Sequence, residues 1–360
     1  MTSSVYIHIP FCRQKCYYCT FSSYPQLDLR EKYLDGLLIE IEKRYLGEKI
    51  KTLYIGGGTP SLIGFEKIAE ILSKFNLEEN AEVTIEANPE STTNAWIKGV
   101  FDCGVNRLSF GVQSFDDKLL KQIGRKHTVK QAFDVILSAR KIGFKNINVD
   151  LIYGLPMQTM SDVSASVITA CELGVEHISS YGLKIEEGSK FFRERPKSLP
   201  DEDMQADMYL KLCEITEKYG YKHYEISNFA KNGFESKHNL NYWNAENYYG
   251  FGCGASGFEG QTRYTHENTI EKYLENPLNL TEKEILTKEV QLEETIFLGF
   301  RKADGIDVSA INKKFGTDFE KKYFEILKKY EKYLKKTENG YAFTNEGFLI
   351  SNYILSDFAE

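Results

Sequence analysis

The sequence predicts an α/β fold, a partial barrel of six parallel strands each followed by a helix, with a mostly helical, winged-helix-like region after it. Three observations carry this. Over the first two-thirds of the 360 residues, short β-branched runs alternate with longer amphipathic segments. Strands joined by helices must run parallel. Six such units are too few for the closed eight-stranded barrel. After about residue 220 the alternation stops, and from about 285 the pattern is mostly helical.

The strands are read at Val5–Ile9, Thr52–Ile55, Glu82–Ala87, Arg107–Val112, Asn146–Ile152 and His177–Leu183. Helical patterns fall between them near 29–46, 64–75, 92–102, 116–124, 128–142 and 160–173. YKHYEISNFA reads as one more strand, followed by a loop rich in His, Asn, Tyr, Trp and Gly. GYAFTNEGFLISNYIL reads as a short hairpin-like wing and a helix. These changes divide the chain into a barrel over 1–230, a connecting region over 231–284 and a C-terminal region over 285–360.

Composition sets outer bounds. Hydrophobic content of 42% and charged content of 27% are ordinary for a soluble globular protein. A net charge of −7 gives no electrostatic footprint for nucleic acid. The C-terminal lysines are interleaved with glutamates, the pattern of a solvated face rather than a DNA-reading one. No apolar run approaches the ~20 residues of a membrane span. MTSSVYIHIP lacks the basic and apolar regions of a signal peptide. A cytoplasmic, reducing location is therefore expected.

Cys12, Cys16 and Cys19 carry the strongest chemistry. In YIHIPFCRQKCYYCTF they are spaced Cys-x3-Cys-x2-Cys, with no fourth cysteine nearby. Three such thiolates hold three irons of a [4Fe–4S] cube and leave the fourth iron open. In one large enzyme class that iron is chelated by the amino and carboxylate groups of S-adenosylmethionine (SAM). A disulfide is the weaker reading, since nothing marks secretion and Cys103, Cys171, Cys213 and Cys253 are scattered singly. Structural zinc asks for four closed ligands, and no second Cys-x2-Cys pair exists.

Five further sites fall at or just after strand ends, where barrel-like folds place their chemistry. Gly56-Gly57-Gly58-Thr59-Pro60 lets backbone approach a ligand closely. Glu86 in TIEANPES offers a carboxylate to an amino group or ribose. Gln113 in LSFGVQSF offers both donor and acceptor, and Arg125 in IGRKHT offers a planar fork for a carboxylate. Asp150 in INVDLIYGLP would be expensive to bury unpaired. Singly, each has an ordinary structural reading; their shared rim favours a cofactor site.

The stretches YIHIPFCRQKCYYC, YIGGGTPSL, TIEANPES, GVNRLSFGVQSFDD, GRKHT, NVDLIYGLP, YEISNFA and HNLNYW make the chain resemble radical-SAM proteins of the HemN/HemW group over nearly its whole length. The resemblance implies a [4Fe–4S] cluster on Cys12, Cys16 and Cys19. It also implies SAM contacts at Tyr6, Tyr18, Gly57, Gly58, Thr59, Glu86, Gln113, Arg125 and Asp150.

Within that group two functions compete. One is an oxygen-independent coproporphyrinogen III oxidase; the other is a heme chaperone that binds heme and delivers it to heme proteins. The oxidase usually adds a cysteine two residues after the third ligand, where this chain has Phe21. It also carries several dozen residues before the cluster, whereas this chain reaches Cys12 directly. His238-Asn239-Leu240-Asn241-Tyr242-Trp243 matches the His-Asn-x-x-Tyr-Trp motif associated with heme in the chaperones. Imidazole is a good axial ligand for heme iron, so His238 is the expected heme ligand. Many relatives read Gly-x-Gly-Ala-His just beyond; here Gly252-Cys253-Gly254-Ala255-Ser256 leaves that histidine's role absent or placed elsewhere. The resemblance thus favours the chaperone, with heme as cargo and apo-heme proteins, respiratory and membrane-bound ones among them, as acceptors. A homodimer is a further expectation. No nucleic-acid partner is expected.

Overall fold

The computed structural model describes residues 2–359. Six parallel strands follow one another across the sheet in chain order: β1 (Ser4–Ile9), β2 (Lys49–Gly57), β3 (Asn76–Ala87), β4 (Arg107–Gln113), β5 (Ile147–Tyr153) and β6 (His177–Gly182). The connecting helices are α1 (Arg30–Arg44), α2 (Phe65–Leu72), α3 (Asn94–Asp102), the pair α4 (Asp117–Gln122) and α5 (Val129–Ile142), and α6 (Met160–Glu172). Local signals fix where the helices begin. Thr128 and Gln131 form a capping box on α5, and Thr159 and Asp162 form one on α6.

Period-two alternation along these strands creates two unlike faces. Val5, Ile7 and Ile9, then Leu53 and Ile55, then Val83 and Ile85, are buried in one core with α1, α2 and α3. Fully burying an Ile or Leu side chain is worth roughly 1.5–3 kcal/mol. The residues between them are polar: Tyr6 and His8, Thr52 and Tyr54, Thr84 and Glu86, Arg107 and Ser109, Asn148 and Asp150, His177 and Ser179. Strands of a parallel sheet covered on both faces read as continuous apolar runs. A polar inner face therefore belongs to a lined hollow.

At the β6 edge the chain runs through α7 (Lys190–Arg193) and the long helix α8 (Glu202–Lys218) before adding antiparallel strands β7 (Lys222–Glu225) and β8 (Asn228–Ala230). YKHYEISNFA is thus a tight hairpin, not one strand, because the chain reverses at Ile226–Ser227 with Ser227 N–H on the Glu225 carboxylate. The next stretch, expected as a loop, is the short helix α9 (Lys237–Trp243), N-capped by Ser236. Then β9 (Tyr249–Phe251) pairs in parallel with β1 at the other edge, completing nine strands.

A separate antiparallel sheet follows, made of β10 (Ser256–Glu259), β11 (Thr262–His266) and, after α10 (Ile270–Glu275), β12 (Leu280–Ile285). The C-terminal region comprises α11 (Lys288–Gly299), β13 (Ile306–Asp307), α12 (Val308–Phe315), α13 (Phe319–Lys322), α14 (Phe324–Lys329), β14 (Leu334–Lys336), β15 (Gly340–Phe343), α15 (Asn345–Leu349) and α16 (Ser351–Asp357). Its three short strands pair in the order β13-β15-β14, and the β14–β15 hairpin is the wing.

Candidate functional site

The loop between β1 and α1 carries the three cysteines and is tied down at both ends. Cys12 N–H donates to Tyr24 O at 3.1 Å, and Tyr24 N–H donates back to Pro10 O at 2.7 Å. Farther along, Tyr17 N–H reaches Ile123 O at 3.0 Å. Cys12 Sγ sits 3.3 Å from Thr59 Oγ1, and Arg125 Nη1 lies 3.6 Å from Cys16 Sγ. All three thiols face one cavity of about 1130 Å³. Among the described residues no three His, Cys, Asp or Glu side chains are grouped to hold a metal ion. Three thiols on one loop, with no fourth cysteine beside them, are the donor set of a cluster that keeps one iron open.

The glycine run forms the adjoining wall. Gly57 has φ +108°, open to glycine alone among unstrained residues. A Cβ on Gly58 would come within 2.6 Å of Phe11 O, so the run packs directly against the cysteine loop. Asn88 links the two sides, donating to Thr59 Oγ1 at 3.0 Å and accepting from Arg125 Nη2 at 2.8 Å. Arg125 also donates to Gly111 O.

Glu86 is gripped by Tyr54 Oη at 2.7 Å and Gly57 N–H at 3.1 Å. Burial first, and Asp150 second, push its carboxyl up to about 7. Asp150 accepts from Asn148 Nδ2 at 2.8 Å and Ser109 Oγ at 3.3 Å, and burial raises its carboxyl as well. Arg107 also lines the cavity, and its buried Nε lacks a hydrogen-bond partner. Two buried carboxyls with raised affinity for the proton suit a cationic ligand, which would return them toward their ordinary range. Gln113 ends β4 at φ +69°, a left-handed conformation uncommon for a side-chain-bearing residue.

Of the thirteen residues singled out from the sequence, eleven line this cavity: Cys12, Cys16, Tyr18, Cys19, Gly57, Gly58, Thr59, Glu86, Gln113, Arg125 and Asp150. Tyr6 does not. It lies one pleat below, stacked on Tyr54, with its hydroxyl 2.9 Å from His8 Nδ1. His238 does not either. Its ring is 1% exposed, with Nδ1 at 2.9 Å from Thr52 Oγ1 and Nε2 at 2.8 Å from Tyr242 Oη. Both nitrogens are thus engaged, and burial pushes the imidazole down to about 3.

The helix that carries His238 still reaches the cavity. Glu82 accepts the backbone N–H groups of Lys237 and His238, each at 3.1 Å, so a carboxylate seats the N-terminus of α9. Asn239 and Trp243 then face the cavity. Ser256, where many relatives have His, bonds Thr265 on β11 and takes no part in the wall. Sequence reasoning missed Tyr54, Asn88, Arg107, Asn148 and Arg301 on that wall. The period-two polar residues within otherwise apolar strands were the available signal for Tyr54, Arg107 and Asn148.

A profile of the Radical SAM superfamily matches residues 6–167, and one of the HemN C-terminal domain matches 286–350. The heme chaperone HemW of Lactococcus lactis is 42% identical, over 90% of this chain and 88% of its own length. The heme chaperone HemW of Bacillus subtilis is 38% identical, over 90% of each. The chain belongs to the HemW family of radical SAM proteins. Its cofactors are accordingly a [4Fe–4S] cluster and SAM. Coproporphyrinogen III oxidase (HemN) from Escherichia coli, a radical SAM enzyme, shares the fold with a TM-score of 0.88, covering 99% of this chain and 90% of that one at 24% identity. Among the described residues no helix is long and apolar enough to cross a membrane.

Proposed function

We propose that this chain, like the HemW relatives in name, is a heme chaperone: it binds heme in the cavity and passes it to apo-heme proteins. The observation that carries the reading is one cavity shared by the cysteine loop, the Asn239 and Trp243 faces of α9, and the C-terminal region. At about 1130 Å³ it exceeds the roughly 300–1,000 Å³ of a pocket for one drug-sized ligand. It has room for a cofactor and a flat cargo together.

In this reading Cys12, Cys16 and Cys19 would hold the cluster, which would supply an open iron for SAM. Gly57, Gly58 and Thr59 shape the backbone cradle for the methionine end. Glu86 and Asp150 take the cationic and ribose groups, and Arg125 takes a carboxylate. Gln113 and Tyr18 close the wall, and Tyr6 braces Tyr54 from behind. His238 fixes α9, so that Trp243 meets the porphyrin face. The acceptors are apo-heme proteins, respiratory ones at the membrane surface included, and a homodimer is the form in which the chain would meet them.

The test is an anaerobic heme titration of cluster-reconstituted protein, followed through the Soret band. Incubation of the loaded protein with an apo-heme acceptor completes it. Saturable binding followed by transfer is expected. Absent binding, or conversion of coproporphyrinogen with loss of two propionate carboxyls as CO2, would replace the chaperone with the oxidase.

A further inference from the structure

Arg301 follows α11 directly and is 9% exposed, yet it lines the same cavity as the cysteines. Its guanidinium donates to Ser351 Oγ at 3.2 Å and to Asn352 Oδ1 at 2.6 Å, and lies 4.4 Å above the Phe297 ring. Every one of these partners is neutral. Burial lowers its affinity for the proton, and the one carboxylate that opposes this, Glu225, is not among its contacts. Glu225 is itself fully buried and pushed up to about 7. A buried guanidinium held by two neutral acceptors keeps most of its charge uncompensated, which is costly without an anion.

The surroundings state what kind of anion fits. Phe297, Phe348, Leu349 and Trp243 give the cavity a flat apolar lining beside Arg301. Ser351 and Asn352 point the guanidinium fork while leaving donors of its five N–H groups unused. An apolar body with a carboxylate arm at its edge matches that arrangement, and the planar fork matches a carboxylate bidentately.

We infer that Arg301 is the anchor for a propionate carboxylate of the tetrapyrrole cargo, oriented by Ser351 and Asn352. The inference rests on the heme-binding reading above and adds its orientation: carboxylate toward α11 and α16, ring against Trp243. The contact also ties the cargo to the C-terminal region, since Arg301, Ser351 and Asn352 all belong to it.

The experiment compares iron protoporphyrin IX with its dimethyl ester, titrated by Soret absorbance into full-length protein, Arg301→Gln and Arg301→Lys. Wild type is expected to bind the free acid about tenfold or more tightly than the ester, the scale of a charge-assisted hydrogen bond. Arg301→Gln should lose that preference while binding the ester as wild type does, and Arg301→Lys should keep part of it. A purely structural arginine would weaken both ligands equally. That outcome, or an unchanged preference in Arg301→Gln, overturns the inference and leaves heme binding standing. Failure of wild type to bind either ligand overturns the heme reading itself, and this inference with it.

Discussion

His238 is held through both ring nitrogens, off the cavity wall that its own helix reaches. Its neutral ring needs one donor and one acceptor, and Thr52 and Tyr242 supply both. It also stacks on Tyr54 with ring centroids 5.2 Å apart. To ligate iron it would have to give up a buried hydrogen bond worth about 1 kcal/mol and leave the partner unsatisfied. His238→Ala should therefore weaken heme binding about tenfold by loosening α9, while the heme that does bind keeps its wild-type Soret position. A shifted Soret band restored by added imidazole would instead make His238 the ligand. That the cysteines, the glycine run and Glu86 share one cavity was legible, because spacing and strand ends fix their place. Tyr6 and His238 were not, because sequence does not tell which side of a wall a ring occupies. Arg301 was not, because its buried charge only becomes conspicuous once its neutral partners are known.

At the scale of elements, the six parallel strands were legible because each apolar run is followed by a helical pattern, with side-chain N-caps opening α3, α4, α5 and α6. The three-stranded sheet of β10, β11 and β12 was not. LTEKEI is almost wholly exposed, so no apolar alternation announces it. The α9 helix has only seven residues and owes its place to Glu82 and Thr52, far away in sequence. The end of β4 carries a consequence. The register to β5 shifts between Gly111 and Gln113, and Gln113 holds φ +69°. Such a conformation costs a non-glycine residue roughly 1–2 kcal/mol, partly offset by the roughly 0.5–1 kcal/mol entropy penalty of glycine. Gln113→Gly should leave the thermal midpoint unchanged or raise stability by up to about 1 kcal/mol, while SAM affinity falls. A clear loss of stability would show that the Gln113 side chain serves the fold rather than the site.

Across the whole molecule, burial pushes the histidines and several carboxyls toward their neutral forms. All six histidines lie below their ordinary value, with burial the leading cause in each: His8, His127, His177, His223, His238 and His266. Five carboxyls lie above theirs, again chiefly through burial: Glu40, Glu86, Asp150, Glu225 and Glu259. A raised carboxyl gives its full stability below its unfolded value, near 4.5 for Glu, and loses it as pH climbs through the folded value, about 7 for Glu86. A lowered histidine does the reverse, contributing fully above 6.5 and losing stability as pH falls toward about 3 for His238. Between about pH 5 and 6.5 the buried histidines and the raised carboxyls pull stability in opposite directions, at most about 1.4 kcal/mol per pH unit for each group. The cofactor-free protein should accordingly change its thermal midpoint less across that range than below about pH 4.5, where the histidines are joined by carboxyls held below their ordinary value, Glu90 and Glu214 among them. Glu86→Gln removes one arm of the balance. Its stability relative to wild type should grow from pH 5 to 7.5, since only wild type must ionise a buried carboxyl there. SAM should erase that advantage, because a cation placed against Glu86 returns the carboxyl toward its ordinary range. The same linkage makes SAM binding to wild type tighten from pH 5 to 7.5 more steeply than binding to Glu86→Gln, in which only Asp150 still couples to the ligand. Calorimetric titration at the two pH values reads this directly, and equal pH dependence in both proteins would remove Glu86 from the cofactor site.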